Sequence, residues 1–149
     1  MKKLVLSVTV LAVLLAGCDK VDPNSPEGKR EAIFKQLLKS KEHMGGMLRG
    51  RIPFVADDFT QHANEVENLA QQPWQYFPVP ENGKATGQAK DAVWKDQQRF
   101  KQLTKQLEQT TKALALAAHK PNLQPADVQP AFKKVEDTCS ECHKAFRIY

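Results

Sequence analysis

Cysteine is scarce in this 149-residue chain: the three residues at positions 18, 139 and 142 are too few to frame a disulfide scaffold. No basic run exceeds two or three residues, so a net charge of +5 gives little reason to expect nucleic acid as a partner. Strand-like alternation and internal repeats are missing as well, which leaves helices as the material of the fold. What remains is globular in character, with 41% hydrophobic and 26% charged residues. The length suits one domain with a real core and is short for two.

The first segment reads as an address. Met1-Lys2-Lys3 is basic, and Leu4 to Ala16 is apolar apart from Ser7 and Thr9. That run is short for a spanning helix of ~20 residues and right for a secretory leader. It ends in Leu15-Ala16-Gly17-Cys18, which resembles the bacterial lipoprotein cleavage box with Cys18 as the lipidated residue. An ordinary signal peptide with a chance cysteine, or an uncleaved anchor, is the alternative. Without Lys2 and Lys3 the net charge falls from +5 to +3. Residues 1–17 are thus read as a signal peptide and 18–28, polar and holding two prolines, as a tether. The expected location is outside the cytoplasm, anchored to a bacterial membrane by lipid.

Residues 29–149 form the folded domain, an all-α, antiparallel up-down-up-down four-helix bundle. Ser25-Pro26-Glu27 signals a helix start, followed by Ile33, Phe34, Leu37, Leu38, Met44, Met47 and Leu48 at three- and four-residue spacing. Gly45-Gly46 inside this run costs roughly 1 kcal/mol each in propensity, which a close helix crossing would offset; an early helix end is the alternative. A second helix runs from Asp57 or Asp58 to Gln71, and a third from about Ala89 to His119. Between them, residues 72–87 carry five Pro or Gly plus Trp74, Tyr76 and Phe77, a long connection expected to pack over the bundle. The fourth helix starts between Pro125 and Pro130. Its seam of Val128, Phe132, Val135, Cys139, Cys142 and Phe146 steps 4-3-4-3-4.

Cys139-Ser140-Glu141-Cys142-His143 is Cys-x-x-Cys-His, the c-type haem attachment motif. Two thiols three positions apart share a helix edge and can each form a thioether to a porphyrin vinyl, while the adjacent imidazole reaches the iron. A redox dithiol would instead be expected at a helix N-terminus after a strand. A zinc site would need a fourth ligand nearby, and His43, His62 and His119 are scattered along the chain.

The segments expected to face this motif are Arg30 to Leu38 and Ala89 to Phe100, and neither contains Met or His. Met44, Met47 and His119 fall at other levels of the bundle. His62 is the one possible exception, from a helix diagonal to the motif. The iron is therefore expected to be five-coordinate, with an apolar distal pocket.

The chain resembles the cytochromes c′ from about Arg30 to Arg147. The likeness runs through Arg30, Met44 to Gly50 before Pro53-Phe54, Pro73-Trp74 and Phe77, Ala92-Val93-Trp94-Lys95-Asp96, Phe132, and Cys-x-x-Cys-His-Lys-Ala-Phe-Arg. The resemblance implies that Cys139 and Cys142 hold one haem and that His143 is its axial iron ligand. It further implies that Arg30 approaches a haem propionate, that Arg147 lies beside the proximal imidazole, and that Phe34 caps the distal face. Plain core packing for Phe34 and solvated charge for Arg30 and Arg147 are the competing readings. Two departures are visible: Pro130, where the family continues a helix, and the lipoprotein-like leader.

The implied function is binding of NO and CO, with Fe(III)/Fe(II) cycling in periplasmic electron transfer or nitric oxide tolerance. Lys133, Lys134 and Lys144 are candidates for steering an acidic redox partner, and a homodimer is suspected from Gly45-Gly46. The rivals are a six-coordinate electron carrier, a peroxidase or NO reductase, and a haem-free lipoprotein with a disulfide.

Overall fold

The structure, a computed structural model, describes residues 21–149. The expected signal peptide, Cys18 and the first residues of the tether lie outside the described residues. Four long helices and one short one follow in order: α1 (Pro26–Leu48), α2 (Ala56–Ala70), α3 (Ala92–Lys95), α4 (Gln97–Ala118) and α5 (Pro125–Phe146). Neighbouring helices pack in turn, α1 on α2, α2 on α4 and α4 on α5, and α1 closes the ring against α5 only sparsely. This is the antiparallel four-helix bundle that the periodicity predicts.

Local chemistry accounts for the helix ends. Ser25 accepts a hydrogen bond from Gly28 N at 3.0 Å, and Pro26 needs no amide partner. At the other end Gly50 takes φ 67°, so that Gly50 N reaches Met47 O at 3.1 Å and Arg51 N reaches Gly46 O at 2.9 Å. These two bonds close a Schellman turn. The start of α1 at Pro26 overlaps the expected tether, 18–28. Gly28 is already helical and buried, because its missing side chain lets Asp22 and Pro23 fold back against it.

Two expectations along the chain are corrected. The third helix is not continuous from Ala89: Asp96 at φ −120°, ψ 64° separates α3 from α4. Its carboxylate accepts from Arg99 N at 3.1 Å, a local bond that trades helix continuity for a cap. Gly45-Gly46 makes no close helix crossing either. A Cβ at these positions would meet the side chains of Arg49 and Ile52 from the same helix end. Pro130 lies inside α5, which starts at Pro125.

The core divides in two. The larger cluster gathers Met44, Met47, Phe59, Val66, Leu107, Leu114, Val128, Phe132 and Val135. Both methionines are therefore core residues. The smaller cluster, at the C-terminal end of α5, holds Ala89, Val93, Phe100, Leu103 and Phe146. Trp74, delivered by the 3-10 turn Pro73–Tyr76, packs against both. The long connection thus lies down over the bundle.

Candidate functional site

The motif straddles the two cores. Cys139 packs on the larger cluster and Cys142 on the smaller, each half-buried and with its thiol free. Burial pushes the Cys139 thiol up, and Cys142 is pushed up to about 11 by burial, then by Cys139 and Glu141. Such thiols are poor thiolate nucleophiles, which speaks against a dithiol oxidoreductase. His143 is shifted the opposite way. Burial first, then Arg147 and Lys41, lowers its pKa and keeps the imidazole neutral with a lone pair to donate.

Lys41 was not among the residues singled out from sequence. Its charge acts on both Cys139 and His143, so α1 runs past the motif one turn further than Leu38. Phe34, Leu37, Leu38 and Lys41 follow i, i+3, i+4, i+7 spacing and form one stripe of α1. Because α1 and α5 meet sparsely, this stripe stays incompletely covered, and Leu38 is 53% exposed. Lys41 is held by Glu42 at 2.8 Å.

An aromatic series links the stripe to the end of α5. Phe34 meets Trp74 edge-on at 6.0 Å between ring centres, Trp74 meets Phe100 at 6.1 Å, and Phe100 meets Phe146 at 5.3 Å. Beside it, the indole Nε1 atoms of Trp74 and Trp94 are buried without a hydrogen-bond partner. Buried N–H groups almost always find an acceptor, so these two orphans, on indoles that pack on the same cluster as Cys142, mark a place for an acceptor-bearing group.

Arg30 is buried, with its guanidinium over the Phe77 ring at 4.7 Å. It donates to Tyr76 O and Thr86 O, both at 2.9 Å, and so ties the long connection to α1. Two of its five N–H groups are used in these bonds. Arg147 has left the helix: at φ −110°, ψ 138° it caps α5, and its side chain donates twice to Gln88 Oε1 at 3.0 and 2.8 Å. Its influence on His143 comes through proximity in the cap, not through a shared helical face. The end of the chain is further stapled by Lys90 N to Phe146 O at 2.9 Å and Ile148 N to Gln88 O at 2.8 Å.

The histidines outside the motif are engaged elsewhere. His119 meets Asn64 Oδ1 at 3.1 Å, and His62 lies with His43 and Asp58 on the α1–α2 hairpin. Lys133 pairs with Asp137, and Lys133, Lys134 and Lys144 are all exposed.

Comparison with known proteins agrees with this geometry. A family model described as cytochrome C' matches residues 26–147. The cytochrome c′ of Rhodospirillum rubrum is 26% identical over 149 residues, covering 99% of each chain. Cytochrome c prime from Shewanella frigidimarina superposes with a TM-score of 0.78 at 26% identity, over 86% of this chain and 98% of that one. A variant of cytochrome c prime from Alcaligenes xylosoxidans with carbon monoxide bound gives 0.75 at 23% identity, over 86% and 98%. With its four long helices, its C-terminal Cys-x-x-Cys-His and a family match spanning all of them, the chain belongs to the cytochrome c′ family, whose members carry one covalently attached c-type haem.

Proposed function

We propose that this chain is a five-coordinate, gas-binding cytochrome c′, lipid-anchored through Cys18 after removal of residues 1–17 and working in the periplasm, where its homologues reside. The residues fit a haem on three counts: two free half-buried thiols at the right spacing, a neutral imidazole beside them, and buried indole N–H groups awaiting an acceptor. Cys139 and Cys142 would hold the group and His143 would ligate its iron. When bound, the haem supplies an iron that cycles between ferric and ferrous states and takes neutral ligands such as NO and CO.

The observation that carries the reading is the stripe of α1 alongside the motif. Phe34, Leu37 and Leu38 offer no sulfur, imidazole or carboxylate. They place no hydrogen-bond donor where bound O₂ would need one. Arg30 would approach a propionate while anchoring the connection and pairing with Glu27 at 3.7 Å, and Arg147 biases His143 toward its neutral form. The reading is of an electron-transfer and gas-binding protein, not an enzyme, since the one ionisable side chain of the stripe, Lys41, is paired with Glu42. A homodimer and an acidic redox partner for Lys133, Lys134 and Lys144 belong to the same proposal.

Lys41 also supports a second reading, a six-coordinate electron carrier. Its charge is the cation of α1 that acts on His143, and its side chain carries a nitrogen donor. The salt bridge to Glu42 at 2.8 Å occupies that nitrogen. An absorption spectrum of the reduced protein with and without CO and NO separates the two. The expected result is a high-spin spectrum that changes with either gas. A low-spin spectrum indifferent to CO establishes the carrier, and colour lost from the polypeptide in a denaturing gel removes covalent haem altogether.

A further inference from the structure

Away from the motif, α1 and α2 bring two imidazoles and a carboxylate together. His43 follows Lys41 by two residues, about 200° around the helix, so it faces away from Cys139 and His143. Asp58 and His62 stand one turn apart on α2 and share a face. His43 Nε2 lies 2.8 Å from Asp58 Oδ2, His62 Nε2 lies 3.6 Å from Asp58 Oδ1, and the two rings are 4.4 Å apart. We propose that His43, Asp58 and His62 form a second metal site, for a divalent first-row transition ion of the Zn²⁺ kind.

The tautomer of His62 makes the case sharper than clustering does. Glu65, as a carboxylate, can only accept, so Ser40 Oγ must donate its single proton to Glu65 Oε2 at 2.7 Å. Ser40 is 1% exposed, and its Oγ then has only lone pairs left for His62 Nδ1 at 3.1 Å. Nδ1 therefore carries the hydrogen. In the neutral ring Nε2 is a bare lone pair, aimed toward a carboxylate oxygen with no proton between them. A cation placed there turns a repulsion into two bonds. Orientation of a ligand histidine through its far nitrogen, with a carboxylate behind it, is the outer-shell arrangement that metal sites use.

The distances suit the ion. Zinc–nitrogen and zinc–oxygen bonds near 2.0–2.1 Å put tetrahedral ligands roughly 3.4 Å apart; the 3.6 Å between His62 Nε2 and Asp58 Oδ1 matches that value, while the 2.8 Å between His43 Nε2 and Asp58 Oδ2 is a hydrogen bond whose proton the ion displaces. All three ligand atoms lie within 4.8 Å of one another. Imidazole and carboxylate together favour Zn²⁺ or Cu²⁺ over Mg²⁺ or Ca²⁺. Three protein ligands leave a fourth position open to a cleft of about 600 Å³ lined by Lys39, Glu42, Arg51 and Ile52. A bound ion would staple α1 to α2.

Calorimetric titration of the chelator-treated, haem-loaded protein with ZnCl₂ tests the site. One ion per chain is expected, together with a rise in melting temperature and no comparable response to MgCl₂. His43→Gln and His62→Gln should each abolish the rise and weaken binding at least 10-fold, and Glu65→Gln should weaken it by ~10-fold through His62. His119→Gln should leave binding unchanged. Absence of saturable binding overturns the proposal, as does binding that survives both His43→Gln and His62→Gln, or binding matched by Mg²⁺. Melting curves of the metal-free variants, expected near that of the parent, separate loss of the site from loss of the fold.

Discussion

A phenyl ring at position 34 can exclude but cannot coordinate. If the ligand must wait for Phe34 to swing aside, and the open arrangement is a minor state of about 1–10%, apparent affinity is lowered by that fraction. Phe34→Ala should then raise the CO affinity of the ferrous protein by roughly 10–100-fold, read by CO titration, and an unchanged affinity would show that the ring guards nothing. Glu27 makes a different prediction. Its carboxyl is held below the ordinary range, first by the Thr86 hydroxyl, with Arg30 adding to the effect. A depressed carboxylate stabilises the fold above its unfolded pKa of ~4.3 and loses that contribution as pH falls through the folded value. Thermal melts of Glu27→Gln should therefore fall below the parent at pH 7, and the gap should close as pH drops below the depressed folded value of the carboxyl. Single residues were legible where chemistry is local, as in Cys139, Cys142 and His143. Lys41 was not, because its influence on His143 depends on the register between two helices far apart in sequence.

Helix starts and stops follow from their own residues: Ser25-Pro26 opens α1, and Gly50 with Pro53 beyond it closes it. The break at Asp96 is not legible in the sequence because Asp is tolerated inside a helix and also favoured as a cap, and only the Arg99 amide it meets decides between the two. Pro130 shows the opposite case. It is exposed in the second turn of α5, where it supplies no amide hydrogen to the turn before, yet the helix continues through it. Pro130→Ala restores that bond and should raise stability by about 1–3 kcal/mol, measured as a higher urea midpoint at unchanged slope. A decrease would mean that the ring's fixed φ contributes more than the missing bond costs.

At the scale of the whole molecule, the bundle is well packed on three sides and thin on the fourth, where α1 passes α5. The half-covered stripe from Phe34 to Lys41 lies toward that side, and the orphaned Trp74 and Trp94 indoles pack on the same cluster as Cys142. A covalent group there would complete the core. The double substitution Cys139→Ser with Cys142→Ser should abolish haem retention in a denaturing gel and lower the melting temperature of the purified chain. Retention of both would remove the thioethers from the account.

Period and spacing alone specify four amphipathic helices, the seam of α5 and the attachment motif, because each depends on residues within a few turns of one another. Helix pairing is different. Which side of α1 meets α5, whether the Arg30 guanidinium turns to the connection, and how His62 comes to share Asp58 with His43 depend on residues 15 to 87 positions apart. Those contacts exist only once the helices have docked, since their entropic cost is met by burial of the whole core and not by any segment alone.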